Sequence, residues 1–331
     1  MAGQYRIKRR THQLALLENQ VTQWDLPRGY DYESLLFRLS GISNVTVAGG
    51  AVRAIAPSQL IKRIEVIADG KNTIASIPFS FLGTGNFARP QRGALVPPTA
   101  AAIAAYNVVM TGALDFQLSD GVRPKDSNLR TAGMQQLQLR ITTGASNDLY
   151  TGGVASTMTA FNLDVFTSEL VELPDEKGNI TKPLYIQKRA YQDIALIANN
   201  ANQQVILPIG NVLRGVELYT QINADSSNAV LNNIQLASGV DVRINLPALD
   251  LQAANAMDYE PFGMIATPTV AGSGNFMPTG WYFADLMAFG GHDVKVTDGW
   301  DLTRASEAKL IADVNGGATN LMTVTTFEFL Q

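Results

Sequence analysis

Apolar and polar residues alternate with period two through Ile64-Glu65-Val66-Ile67-Ala68-Asp69-Gly70-Lys71-Asn72-Thr73-Ile74-Ala75-Ser76-Ile77-Pro78, which reads as a β-hairpin. Asp69-Gly70 is a strong two-residue turn signal. A two-residue loop, however, sets Glu65 against Ile74 and Ile67 against Asn72. A four-residue loop at 69–72 pairs Ala68 with Thr73, Ile67 with Ile74, Val66 with Ala75 and Ile64 with Ile77. That register gathers Ile64, Val66, Ala68, Ala75 and Ile77 on one face, so the pattern predicts the longer loop. Pro78, lacking an N–H, ends the second strand.

The same pattern returns at Ile234-Gln235-Leu236-Ala237-Ser238-Gly239-Val240-Asp241-Val242-Arg243-Ile244-Asn245-Leu246-Pro247, with glycine and proline each 169 residues on. Here a three-residue loop at 238–240 is predicted, with Gly239 free to adopt a left-handed conformation. It places Ile234, Leu236, Val242, Ile244 and Leu246 on the apolar face and Gln235 opposite Arg243. Upstream, Leu26-Pro27-Arg28-Gly29 is matched by Leu207-Pro208-Ile209-Gly210, 181 residues later. The first copy therefore has about twelve more residues before its hairpin, a surplus assigned to 41–59. Downstream, Gly83-Thr84-Gly85-Asn86-Phe87 is matched by Gly272-Ser273-Gly274-Asn275-Phe276. The chain reads as a duplicated β domain.

Further strands are predicted at 32–39, 106–118, 137–142, 161–165, 191–197, 204–207, 215–221, 281–289 and 321–329. Pro247 opens a short helix over 248–256. Residues 172–183, charged, with prolines near both ends and a central glycine, read as a linker. Many short strands separated by turn signals indicate sandwiches or jelly rolls.

Composition narrows the functions available. At 331 residues the chain suits two domains, and only 16% of its residues are charged. Without cysteine there is no disulfide framework, and two histidines, His12 and His292, exclude histidine-rich metal sites. No apolar run is long enough to span a membrane, and no secretory leader pattern is present. The net charge of −4 hides an asymmetry: Arg6, Lys8, Arg9 and Arg10 all precede the first acid, Glu18. In this basic arm, residues 1–20, Thr11 is a candidate N-cap, and Leu14 and Leu17 lie at helical spacing with Leu16 beside them. The reading is a short helix whose basic lead-in meets phosphates of lipid or nucleic acid, or an arm that packs on a neighbouring subunit.

Candidate chemistry is sparse. Gly83-x-Gly85-x-x-Ala88 formally fits a loose dinucleotide fingerprint, but Arg89-Pro90 follows where a helix is needed, so a tight turn is preferred. His292 lies in a Gly-Gly-His-Asp loop with no nucleophile elbow nearby. Asp115, Asp120, Asp126 and Asp148 match no calcium motif. Trp24, Trp281 and Trp300 offer either sugar-stacking faces or core. Asn44-Val45-Thr46 and Asn179-Ile180-Thr181 are formal glycosylation sequons only. No catalytic, cofactor or metal residue is assigned.

The stretches Leu26-Pro27-Arg28-Gly29-Tyr30-Asp31-Tyr32-Glu33-Ser34, Phe37-Arg38-Leu39-Ser40-Gly41 and Leu60-Ile61-Lys62-Arg63-Ile64-Glu65-Val66-Ile67-Ala68-Asp69-Gly70-Lys71-Asn72 carry a family likeness. After the basic N-terminal stretch, they resemble the first jelly roll of major capsid proteins from tailless icosahedral double-stranded DNA phages with an internal membrane. The likeness is to corticovirus and autolykivirus coat proteins, and more distantly to tectiviruses. It is most specific over about 26–78.

That resemblance implies an all-β double jelly roll, two tandem eight-stranded units with a few short helices, and no catalytic residues. It implies a homotrimer forming a pseudo-hexagonal capsomer, with neighbouring capsomers, penton or spike proteins and minor membrane proteins as partners. It also implies a virion location, assembly in the host cytoplasm, an arm turned toward the internal lipid membrane, and no sequence-specific nucleic acid. The expected organisation is arm 1–20, first jelly roll 21–171, linker 172–183 and second jelly roll 184–331. The competing readings are a jelly-roll enzyme acting on glycans, a glycan amidase or glycosidase with a tryptophan-lined cleft, or a carbohydrate-binding module. On the capsid reading, deleting residues 1–13 is expected to spare trimers and impair membrane-bearing particles.

Overall fold

The computed structural model describes residues 4–53, 55–83, 95–117, 124–172, 185–258, 279–287 and 298–330. The chain divides into two compact units, residues 1–119 with 123–187, and 120–122 with 188–331.

The first unit contains β1 (Gln4–Ala15), β2 (Val21–Asp25), β3 (Asp31–Val47), β4 (Ile61–Ala68), β5 (Asn72–Ile77), β6 (Leu95–Val96), β7 (Ala105–Asp115), β8 (Leu129–Arg130), β9 (Leu137–Thr143) and β10 (Ala155–Glu172), with helix α1 (Phe79–Leu82). One sheet runs β1-β10-β3-β7-β6, with β8 on β3; the facing set runs β5-β4-β9-β2. Leaving out the two-residue strands β6 and β8, the eight strands have jelly-roll order, each sheet drawing from both ends of the chain segment. Strand β9 shows the cause most plainly: Leu137, Leu139 and Ile141 are buried, while the residues between them are half-exposed. Leu35, Phe37 and Leu39 of β3 point into the same core, where Phe37 meets Phe79 edge-on at 6.3 Å.

The second unit contains β11 (Ile186–Ala195), β12 (Asn200–Ile206), β13 (Val212–Ile222), β14 (Asp225–Ser226), β15 (Leu231–Ser238), β16 (Asp241–Pro247), helix α2 (Ala248–Asp258), β17 (Trp281–Asp285), β18 (Trp300–Asp301), β19 (Lys309–Val314) and β20 (Asn320–Leu330). Its sheets run β14-β13-β20-β11, with β17 and β18 on β13, and β12-β19-β15-β16. This is the first unit's order repeated, with β11, β13, β17 and β20 in the places of β1, β3, β7 and β10. Its core gathers Val216, Leu218, Ile234, Leu236, Leu310, Ala312 and Val324 with Tyr282.

The duplicated landmarks coincide with duplicated elements. Pro27 and Pro208 precede β3 and β13; Pro78 and Pro247 stand at the ends of β5 and β16, each directly before a helix. The twelve-residue surplus is spread out. Strand β3 is six residues longer than β13, the connection after it is five longer, and one extra residue lies in the hairpin.

Both predicted hairpin loops are too long by one residue. Ala68 pairs with Asn72 around a three-residue loop, and Ser238 pairs with Asp241 around a two-residue loop. In the first, Asp69 and Gly70 both have positive φ (53° and 70°), and the Lys71 N–H donates to the Ala68 carbonyl at 3.2 Å. Asp69 tolerates the left-handed conformation because its carboxylate is held, Oδ1 accepting from the N–H groups of Gln135 and Gln136. A bulge at Ile74 restores the predicted Val66–Ala75 and Ile64–Ile77 pairs. A bulge at Arg243, the equivalent position, sets Gln235 opposite Asn245, not Arg243.

The helix expected in the arm is absent: Gln4–Ala15 is strand β1, paired along its length with β10. Leu14 and Leu16 are buried and Leu17 is 65% exposed, a period of two and not of helical spacing. Glu172, the first residue of the predicted linker at 172–183, ends β10; residues 173–183, 84–88 and 272–276, His292, Asp120 and the Asn179 sequon lie outside the described residues.

Candidate functional site

Strand β1 brings the four cations of the arm onto the edge of a sheet whose neighbouring strands carry acids. The Arg6 guanidinium donates to both carboxylate oxygens of Glu33, at 2.5 and 2.8 Å. Arg9 makes the same two-pronged contact with Glu169, at 3.1 and 3.0 Å. Arg10 and Arg38 share Asp164, at 3.5 and 3.4 Å. The carboxylates are buried and the guanidiniums about half-exposed. Ser168 donates to Glu33 and Thr167 to Glu169, so these acids are solvated by protein. The Glu33 hydrogen bonds, with its charge, hold the Arg6 guanidinium above its ordinary pKa. Lys8 is exposed, and no ion pair to it is formed among the described residues.

Arg6, Arg9 and Arg10 are therefore largely spent within the protein, leaving Lys8 as the projecting charge. Two-pronged arginine–carboxylate contacts fix geometry as well as neutralise charge. Here they clamp β1 to β3 and β10. Deleting residues 1–13 would remove a sheet strand and its clamps, so that deletion cannot isolate an arm function.

One cleft, of about 770 Å³, lies at the end of the first unit between the turn at 25–29, the β4–β5 turn and the loop before β9. Its polar groups are already engaged. Asp25 accepts from the Gln136 and Gln138 side chains, Asp69 from two backbone N–H groups, and Arg28 donates to the carbonyls of Met134 and Gln135. These contacts make it a set of tied turns.

Trp281 and Trp300 are buried, Trp281 stacked on Tyr219 at 4.3 Å and Trp300 donating its indole N–H to Asp241 at 3.2 Å. Neither offers a sugar-stacking face, and Trp24 is half-buried on β2. Asp148 accepts from the Ala145 N–H and pairs with Lys62, the role of a turn cap. Asp115 is buried at the end of β7, and Asp126 sits in the short 3-10 helix at Pro124–Ser127. Among the described residues no cluster of acids and histidines is arranged to hold a metal, and no helix is long and apolar enough to cross a membrane. The Asn44 side chain donates to Thr159 across β3 and β10.

A different surface was not legible in the sequence. Val240, Val242, Leu246 and Leu249, at the β15–β16 turn, along β16 and at the start of α2, are 101%, 47%, 39% and 57% exposed. Alternation assigned Val242, Ile244 and Leu246 to the core. Ile244 and Leu246 do lie on the core-facing side, opposite buried Leu236 and Ile234, but the bulge at Arg243 turns Val242 to the other face, opposite Ala237, and β16 as a whole is incompletely covered.

No family model matches the chain, and no curated protein matches it. Solved structures do. The major capsid protein of Sulfolobus turreted icosahedral virus is 15% identical with a TM-score of 0.74, covering 99% of this chain and 97% of that one. The major capsid protein P2 of bacteriophage PM2 is 13% identical at a TM-score of 0.61, covering 99% and 98%. The Faustovirus major capsid protein is 9% identical at 0.62, covering 99% and 90%. The chain has the double jelly-roll fold of these proteins.

Proposed function

We propose that this protein is a viral major capsid protein, a structural tile whose activity is assembly. The observation that carries the reading is the pair of complete jelly rolls in one strand order, matched over 99% of the chain by capsid proteins. Duplication has a physical use there: a homotrimer of a two-unit chain presents six similar edges, which tile as a pseudo-hexagon. Capsomers of this kind would form an icosahedral shell in the virion, assembled in the host cytoplasm with penton, spike and membrane-associated partners. The internal membrane rests on the sequence resemblance to membrane-containing phages. The clamped arginines of β1 favour protein contact over lipid contact for the arm.

Mass measurement by light scattering, followed by electron microscopy of concentrated protein, tests the reading. The expected result is a homotrimer of 35.7 kDa chains that yields closed particles, with lipid in those made in cells. A protein that stays monomeric and lipid-indifferent at assembly concentrations refutes it.

A further inference from the structure

Equivalent strands of the two jelly rolls are covered unequally. In β5, Ile74, Ala75 and Ile77 are buried, whereas in β16 their equivalents Arg243, Ile244 and Leu246 are exposed, half-buried and exposed, and Val242 beside them is 47% exposed. The first strands differ in the opposite sense. In β11, Gln187 and Arg189 are buried, whereas from Tyr5 to Arg10 β1 has no buried residue. The end strands β2 and β12 are exposed alike, with Val21 at 59% and Ile206 at 79%, so the strands bare in one unit and covered in the other are β16 in the second and β1 in the first, and each closes one end of its sheet order. A bare sheet edge with apolar side chains is a template for another chain.

Charge divides the same way. Residues 1–187 hold 18 Lys and Arg against 15 Asp and Glu, a net of +3; residues 188–331 hold 7 against 14, a net of −7. A contact between two second jelly rolls therefore brings like charges together, whereas first-to-second contact brings opposite charges together. At the edges themselves, β1 projects Lys8, its arginines being paired with acids, and α2 beside β16 carries exposed Asp250, while Asp241 in the hairpin is paired with Arg243.

Resting on the trimer reading above, we infer that the β16 edge of one copy docks on the β1 edge of the next. Val242 and Leu246, with Val240 and Leu249 beside them, supply the apolar contact, and the opposite charges of the two units set which edges meet. Such head-to-tail contact uses different surfaces on each side, so it propagates around a ring and does not stop at a dimer.

The chain has no cysteine, so paired cysteines report the contact directly. Lys8→Cys with Val242→Cys, treated with a short bismaleimide, is expected to give covalent dimers and trimers, and each single variant only monomers. Val242→Glu with Leu246→Glu, at exposed positions, is expected to weaken trimer association at least tenfold without changing the far-ultraviolet spectrum. A wild-type trimer that the paired cysteines do not cross-link, or that the glutamates leave intact, overturns the edge assignment while sparing the capsid reading. Cross-linking by Val242→Cys alone overturns it in favour of β16 meeting β16. A wild-type chain that is monomeric at assembly concentration overturns both.

Discussion

The hairpins β4–β5 and β15–β16 share a turn glycine with positive φ, a bulge at equivalent residues and a closing proline, yet one second strand is core and the other is surface. Local rules made them alike: alternation, turn chemistry and the missing proline donor act over a few residues. Coverage made them different, because what lies over a strand comes from elsewhere in the fold. The same divergence separates β1, clamped by Glu33, Glu169 and Asp164, from β11, where the Arg189 guanidinium lies over the Phe327 ring at 4.2 Å.

The comparison breaks most sharply at equivalent buried and bare positions. Ile77→Ala removes a fully buried side chain and is expected to cost about 2–5 kcal/mol. Leu246→Ala, at the matching site, is expected to cost under about 1 kcal/mol in the monomer. Urea denaturation of the two variants checks this, and equal losses would erase the distinction. Next in size, Arg9→Ala leaves Glu169 buried without its partner. A loss of about 1.5–3 kcal/mol is expected, with faster hydrogen exchange along β1 than along β11.

A pH experiment sharpens the view of the second core. Burial pushes the Tyr282 hydroxyl from 10.0 to about 12. Because the folded value is raised, the folded state keeps its full stability below about pH 10. It loses about 1.4 kcal/mol per pH unit between 10 and 12 as the unfolded chain ionises first. Tyr282→Phe is expected to flatten that part of the alkaline unfolding curve. Tyr32 in the first jelly roll, pushed up chiefly by burial and then by Glu169, still contributes its own slope. The smallest effect concerns what the hairpins share: Gly70→Ala and Gly239→Ala should each cost about 1 kcal/mol, since both glycines have positive φ. Thermal melts showing a loss at only one would mean the turns are less alike than their backbones.

Much was legible from residues alone. The duplication, the outer pairs Ile64–Ile77 and Val66–Ala75, the helix after Pro247 and the strand at 137–142 all follow from period, proline and glycine. The error at residues 1–20 had a visible antidote, since Leu14 and Leu16 already alternate. What hid it was that a strand needs a partner, and β10 lies about 150 residues away. The loop lengths were misjudged because a bulge at Ile74 or Arg243 costs little locally and shifts register without altering composition.

The sequence by itself determined that this chain is two copies of one β unit, because hydrophobic period and turn chemistry are local and survive duplication. Only the tertiary structure decided what the charges and apolar faces are for. Glu33, Glu169 and Asp164 reach Arg6, Arg9 and Arg10 through strand pairing, and β16 is left bare where its counterpart β5 is covered. Ion pairing and exposure depend on neighbours far along the chain, and the order of residues does not name those neighbours.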